Sequence, residues 1–109
     1  DNSVVSHFYL DQLSTEAELD KIRRPEVWLD EPATARAEEI AHSVFDGLLP
    51  VRMQGAFPVF APWDLIVQWR GHESLLYDLA DRPEFMHKII QRVTEGQLSL
   101  LDQLEEQNL

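Results

Sequence analysis

Apolar residues recur along this chain in two rhythms, and the changes between them lay out its elements. Ala33, Ala37, Ile40, Ala41, Val44, Phe45 and Leu48 recur at helical spacing, which predicts an amphipathic helix over 33–47 with Gly47 as its C-terminal cap. The rhythm then shortens to two: Leu49, Val51 and Met53 alternate with Pro50, Arg52 and Gln54. That alternation predicts a strand over 48–55, with Pro50 near its start or on an edge. Residues 55–62 carry Gly55, Pro58 and Pro62 and read as an irregular connection. Helical spacing returns from Pro62 to Arg70, breaks at Gly71, resumes over 73–79 and then runs from Arg82 to the end. Met86, Ile89, Ile90, Val93, Leu100, Leu101 and Leu104 form the apolar stripe of that last helix. Asp81 stands as its cap, with Glu84 three residues on and Pro83 in the first turn. Nearer the start, Thr15 and Glu18 have capping-box spacing for a short helix that Pro25 stops. Residues 25–32 read as a loop, and residues 1–13, with Val4, Val5, Phe8, Tyr9 and Leu10, as a short extended segment or packed arm. A lone strand leaves its backbone groups unpaired. Its partner is expected in residues 1–13, in residues 56–60, in another copy, or in chain beyond this piece.

Composition narrows the function classes. With 109 residues, 44% hydrophobic and 27% charged, the chain makes at most one globular domain. Nine basic against twenty acidic residues give a net charge of −11. Phosphate backbones and anionic lipid surfaces repel such a chain, which sets aside nucleic acid and membrane partners. No apolar stretch reaches the roughly 20 residues of a membrane span, and no basic-then-apolar leader is present. The absence of cysteine removes disulfides and thiolate ligands and fits a cytoplasmic protein. The chain starts at Asp1 and stops at Leu109 inside a helical pattern, so a piece of a longer protein is expected.

Catalytic chemistry is sparse. His7, His42, His72 and His87 include no pair at helical zinc spacing. Glu38 with Glu39, and Glu105 with Glu106, read as solvated helix charges. No serine sits in a nucleophile elbow and no glycine-rich phosphate loop exists. No catalytic and no metal-binding residue is therefore assigned. Arg52 and Gln54 are of more interest, because Gln54 lies at the C-terminal end of the predicted strand, where parallel α/β folds bind ligands. Phe57, Phe60, Trp63 and Trp69 follow it and could either wall an apolar pocket or pack helices together.

The ordered run Leu49-Pro50-Val51, Ala61-Pro62-Trp63, Gly71 and Arg82-Pro83-Glu84-Phe85-Met86-His87 resembles the uroporphyrinogen decarboxylase family, which includes corrinoid-linked methyltransferases. With Leu13-Ser14-Thr15-Glu16, Leu19-Asp20-Lys21-Ile22 and Pro25, the resemblance covers residues 12–109. It implies an α/β parent, a (β/α)₈ TIM barrel, of which residues 1–109 are one partial domain: a mostly helical middle sector with one or two short strands. It further implies a cytoplasmic enzyme with a small-molecule substrate. The reaction is either decarboxylation of a tetrapyrrole in porphyrin biosynthesis, as a carboxy-lyase, or methyl transfer. The decarboxylase needs no cofactor, whereas the methyltransferase branch uses zinc or a corrinoid, with ligands outside this piece. A tyrosine that contacts substrate in the family is matched by Gln68, and a common glycine before Ala-Pro-Trp is matched by Phe60. Gln54, Phe60, Trp63 and Gln68 are the pocket-wall residues this reading selects. The piece alone is expected to be inactive, and either to fold in isolation as a helical subdomain or to self-associate through the truncated face of the barrel. The competing expectation is a small acidic helical interaction module without chemistry.

Overall fold

Helices follow one another through residues 9–109, which are those the computed structural model describes. A 3₁₀ segment spans Glu16–Lys21, and α1 spans Glu31–Phe45, α2 Pro62–Arg70, α3 His72–Asp81 and α4 Pro83–Glu106. Their starts and stops follow local chemistry. The Asp30 carboxylate accepts the Ala33 N–H at 3.0 Å and Pro32 occupies the first turn, so α1 begins ahead of the expected Ala33. Gly47, at φ +75°, closes that helix in the left-handed conformation, as its position predicts. Pro62 opens α2 and Pro83 opens α4. Asp81 is not the cap of α4: it ends α3, and Arg82 takes the cap position without a side-chain capping bond.

No strand forms among the described residues, and Leu48–Gly55 runs irregularly. The described residues are all-helical, which overturns the expected α/β sector of a (β/α)₈ barrel with one or two short strands. The physical reason is that alternation favours an extended conformation, whereas a strand also needs a neighbour to receive its N–H and C=O groups. Residues 56–60 do not pair with it, and in 9–13 the Gln12 N–H goes instead to the Trp69 carbonyl at 2.7 Å. The expectation for Val4, Val5 and Phe8 lies outside the described residues.

The core is built on α4. Phe85, Met86, Ile89 and Val93 meet Ile66 of α2, Leu75 of α3, Leu19 of the 3₁₀ segment and Leu13 before it. Surface links hold the 3₁₀ segment to α4, Lys88 to Glu16 at 2.8 Å and Arg92 to Asp20 at 3.1 Å. Exposed pairs of this kind add at most about 1 kcal/mol each, so the buried leucines hold the contact. Farther along α4, the Gln103 side chain grips the extended segment that leads to α1. Its Oε1 accepts the Val27 N–H at 3.0 Å and its Nε2 donates to the Pro25 carbonyl at 2.9 Å. Gln107 Nε2 donates to the Val27 carbonyl at 2.8 Å.

The α1 helix stands outside this core. It has no buried residue and packs against no other helix, so the apolar face its spacing predicted is bare. The radius of gyration is accordingly 19.5 Å, with extents of 60 × 47 × 19 Å. A compact chain of this length would measure about 13 Å. Among the described residues no helix is long and apolar enough to cross a membrane.

Two joints carry predictions. Gly71 sits at φ +83°, ψ 152°, where it both ends α2 and caps α3. A Cβ there would meet nothing within 4 Å, so the cost of a side chain is purely conformational. Gly71→Ala is expected to destabilise the fold by about 1–3 kcal/mol in urea titration. The second joint is Glu18, whose carboxylate accepts from Lys21 Nζ at 2.8 Å, the Ser14 hydroxyl at 2.8 Å and the Thr15 N–H at 3.0 Å. These bonds, that from Lys21 foremost, lower its pKa from 4.5 to about 2. A lowered carboxylate pKa contributes stability that is complete above the unfolded value and is lost as pH falls through the folded one. The stability difference between wild type and Glu18→Gln is therefore expected to be constant above about pH 5 and to vanish towards about pH 2, read by denaturant titration across pH.

Candidate functional site

The most organised group of polar side chains lies where α2, α3 and the segment before the 3₁₀ turn meet. Asp78 belongs to the inward face of α3, three residues after Leu75, and is 4% exposed. Arg70, the last residue of α2, reaches it across the Gly71 joint. Its Nε donates to Asp78 Oδ2 at 2.8 Å and its Nη2 to Asp78 Oδ1 at 3.4 Å, while Nη1 meets Asp11 Oδ2. Asp78, and behind it Asp11, raise the Arg70 pKa above its ordinary value against the effect of burial. Arg82 adds a third arm, with Nη1 3.5 Å from Asp78 Oδ1 and 3.0 Å from the Ser14 carbonyl it donates to. Its guanidinium lies 4.0 Å from the centre of the Phe85 ring.

Chemically this cluster joins elements. Both Asp78 oxygens face arginines, and one carboxylate thereby ties α2 to α3 and α3 to the start of α4. Among the described residues no buried side-chain nitrogen or oxygen lacks a partner. An open cleft of about 390 Å³ adjoins the cluster, lined by Tyr9, Asp11, Arg70, His72, Glu73 and Ser74. The Tyr9 and His72 rings are 5.9 Å apart there. The sequence reading missed Asp78, though a signal was available: an acidic residue at helical spacing from Leu75, on the face that must turn inward.

The four pocket-wall residues do not line one cavity together. Gln54 borders a cleft of about 540 Å³ with Val27, Trp28, Thr34, Met53 and Leu104 among its walls. Phe60 borders a separate apolar groove of about 220 Å³ against Leu98 and Leu101 of α4. Trp63 and Gln68 line neither and stand exposed on α2. Of the other aromatic candidates, Trp69 packs against the core, whereas Phe57 is 83% exposed. His42 lies 4.0 Å from Glu38 on α1, His87 is exposed on α4, and His7 lies outside the described residues.

Among the described residues no group of three or more His, Asp or Glu side chains could hold a metal ion, and the chain has no cysteine. The resemblance places the zinc or corrinoid ligands of the methyltransferase branch outside this piece. Compared with protein-family models, curated proteins and solved structures, the chain matches none.

Proposed function

We propose that this chain is an assembly segment of a cytoplasmic uroporphyrinogen decarboxylase-like enzyme, and that it supplies helical surface rather than reacting groups. One observation carries the assembly role: α1 packs against no other helix, and the linker after it holds Leu48, Phe57 and Val59 in solvent. Exposed apolar surface on this scale marks a face that another body covers. The family reading is supported by the ordered motif, whose Pro62, Gly71 and Pro83 coincide with the joints of α2, α3 and α4. The reaction assigned to the enzyme is loss of carboxyl groups from a tetrapyrrole. Methyl transfer is the second reading, favoured by Phe60 and Gln68 standing where the decarboxylase pattern has glycine and tyrosine.

The test is a pair of assays on the protein that contains this segment. One follows decarboxylation of uroporphyrinogen anaerobically, by chromatography of the oxidised products. The other follows transfer of a methyl group from a methylcorrinoid to a thiol, by absorbance. One of the two activities is expected there, and neither in the 109-residue chain alone. A protein inactive in both assays, or a chain active by itself, overturns the reading.

A further inference from the structure

The buried core takes residues up to Ile22 and again from Ile66 onward, and none between them. Residues 23–61, which carry α1, therefore form a flap that the core does not hold. What holds it lies on the second half of α4. The Cβ that Gly96 lacks would stand 3.6 Å from the Pro25 ring. Leu104 alone of the buried apolar side chains lies outside the core, and it shares the wall of one cleft with Val27 and Trp28. Among the described residues, the flap's hydrogen bonds to α4 all end on the side chains of Gln103 and Gln107, and no ion pair joins the flap to the core. Gln103 is oriented from within α4, because its Nε2 also donates to the Ser99 carbonyl at 3.0 Å. Its amide thus meets the Pro25 carbonyl and the Val27 N–H already turned the right way.

We infer that Gln103 and Gln107 are a latch, and that opening it frees residues 23–61 as one unit while the core stays folded. Proteins open in sub-global units, and a unit with few buried apolar contacts opens well before the whole. The latch bonds join neutral groups, and on opening each is exchanged for a bond to water, so each adds little net stability. The core loses none of its members when they break. The α1 helix packs against no other helix, so nothing there opposes the movement. The latch therefore decides where α1 points: one place when closed, a range of places when open. This property belongs to the chain itself and depends neither on the reaction nor on the assembly role proposed above.

The chain has no cysteine, so Glu39→Cys on α1 and His87→Cys on the core half of α4, both exposed, carry a pair of nitroxide labels. Pulsed dipolar spectroscopy is expected to give one narrow distance with Gln103 in place. Gln103→Leu removes donor and acceptor together and is expected to broaden that distribution. Hydrogen exchange of the unlabelled chain reads the two units separately. Gln103→Leu is expected to speed exchange of the Val27 amide by at least about ten-fold. The amides of Ile89 and Val93 are expected to stay within about two-fold of wild type. Gln103→Glu keeps an acceptor for the Val27 N–H and loses the donor to Pro25, so it is expected to fall between. A broad distribution with Gln103 in place overturns the proposal, since there is then no closed position. A distribution that Gln103→Leu leaves narrow also overturns it, by showing that other contacts hold the flap. Core amides that speed up as much as Val27 overturn it too, because flap and core would then be one unit.

Discussion

Asp78→Ala is expected to cost this chain about 3–5 kcal/mol of folding stability, the largest effect of any single polar substitution in it. The loss is large because of what is left behind. Arg70 is mostly buried, with its side chain 11% exposed, and takes two of its three nitrogen contacts from Asp78. Without that carboxylate a guanidinium remains in the joint between α2 and α3 with Asp11 alone opposite it. Arg82 loses its ion-pair partner as well, and keeps the Ser14 carbonyl and the Phe85 ring. Asp11→Ala is the informative contrast. Its side chain is 36% exposed, and its removal leaves the Arg70–Asp78 bonds in place, so about 1 kcal/mol is expected. Urea titration of both variants, followed by tryptophan fluorescence, checks the ordering. Equal losses would mean that the pair is wetter than its burial indicates.

Ile89→Ala is expected to remove about 2–5 kcal/mol, a loss comparable in size but of a different kind. Ile89 is 0% exposed and lies at the centre of α4's contact with α2 and α3. Truncation there removes apolar burial and opens a cavity whose walls belong to several helices, which limits how far they can close over it. A substitution of identical chemistry on α1 provides the scale. Ile40 is 57% exposed and touches no other helix, so Ile40→Ala is expected to fall within about 0.5 kcal/mol. Thermal melts of the two variants should therefore differ by many degrees in midpoint, although each deletes the same atoms. A large loss at Ile40 would show that α1 is covered in solution.

That contrast also shows which parts of the fold could be read from sequence. Helix starts and stops were legible because they depend on neighbours along the chain: Pro62, Gly71 and Pro83 each sit at the joint their chemistry predicts. The α4 stripe was legible in its first half, where Met86, Ile89 and Val93 are buried, and less so beyond Gly96, where Leu101 is 41% exposed. Phe85 joined the core and Gly96 was buried beside Pro25 unannounced, since which residues are covered depends on what packs against α4. The α1 face obeyed its periodicity and still found nothing to pack on, because a pattern specifies an apolar face and not its cover. The segment over 48–55 failed for the same reason one level down. Its alternation is real, but a ladder is a property of two segments. The cluster around Asp78 was harder still, for it draws together Asp11, Arg70 and Arg82 from three parts of the chain.

The Gln103 side chain, finally, does for Val27 what a neighbouring strand would do. It takes the N–H of a residue that belongs to no helix or ladder, and Gln107 takes the carbonyl. In a deuterium-exchange experiment the Val27 amide should thus outlast its neighbours Glu26 and Trp28. Slow exchange at one position in an otherwise irregular stretch would report, without any mutation, that the far end of α4 is folded and in register with the chain it grips.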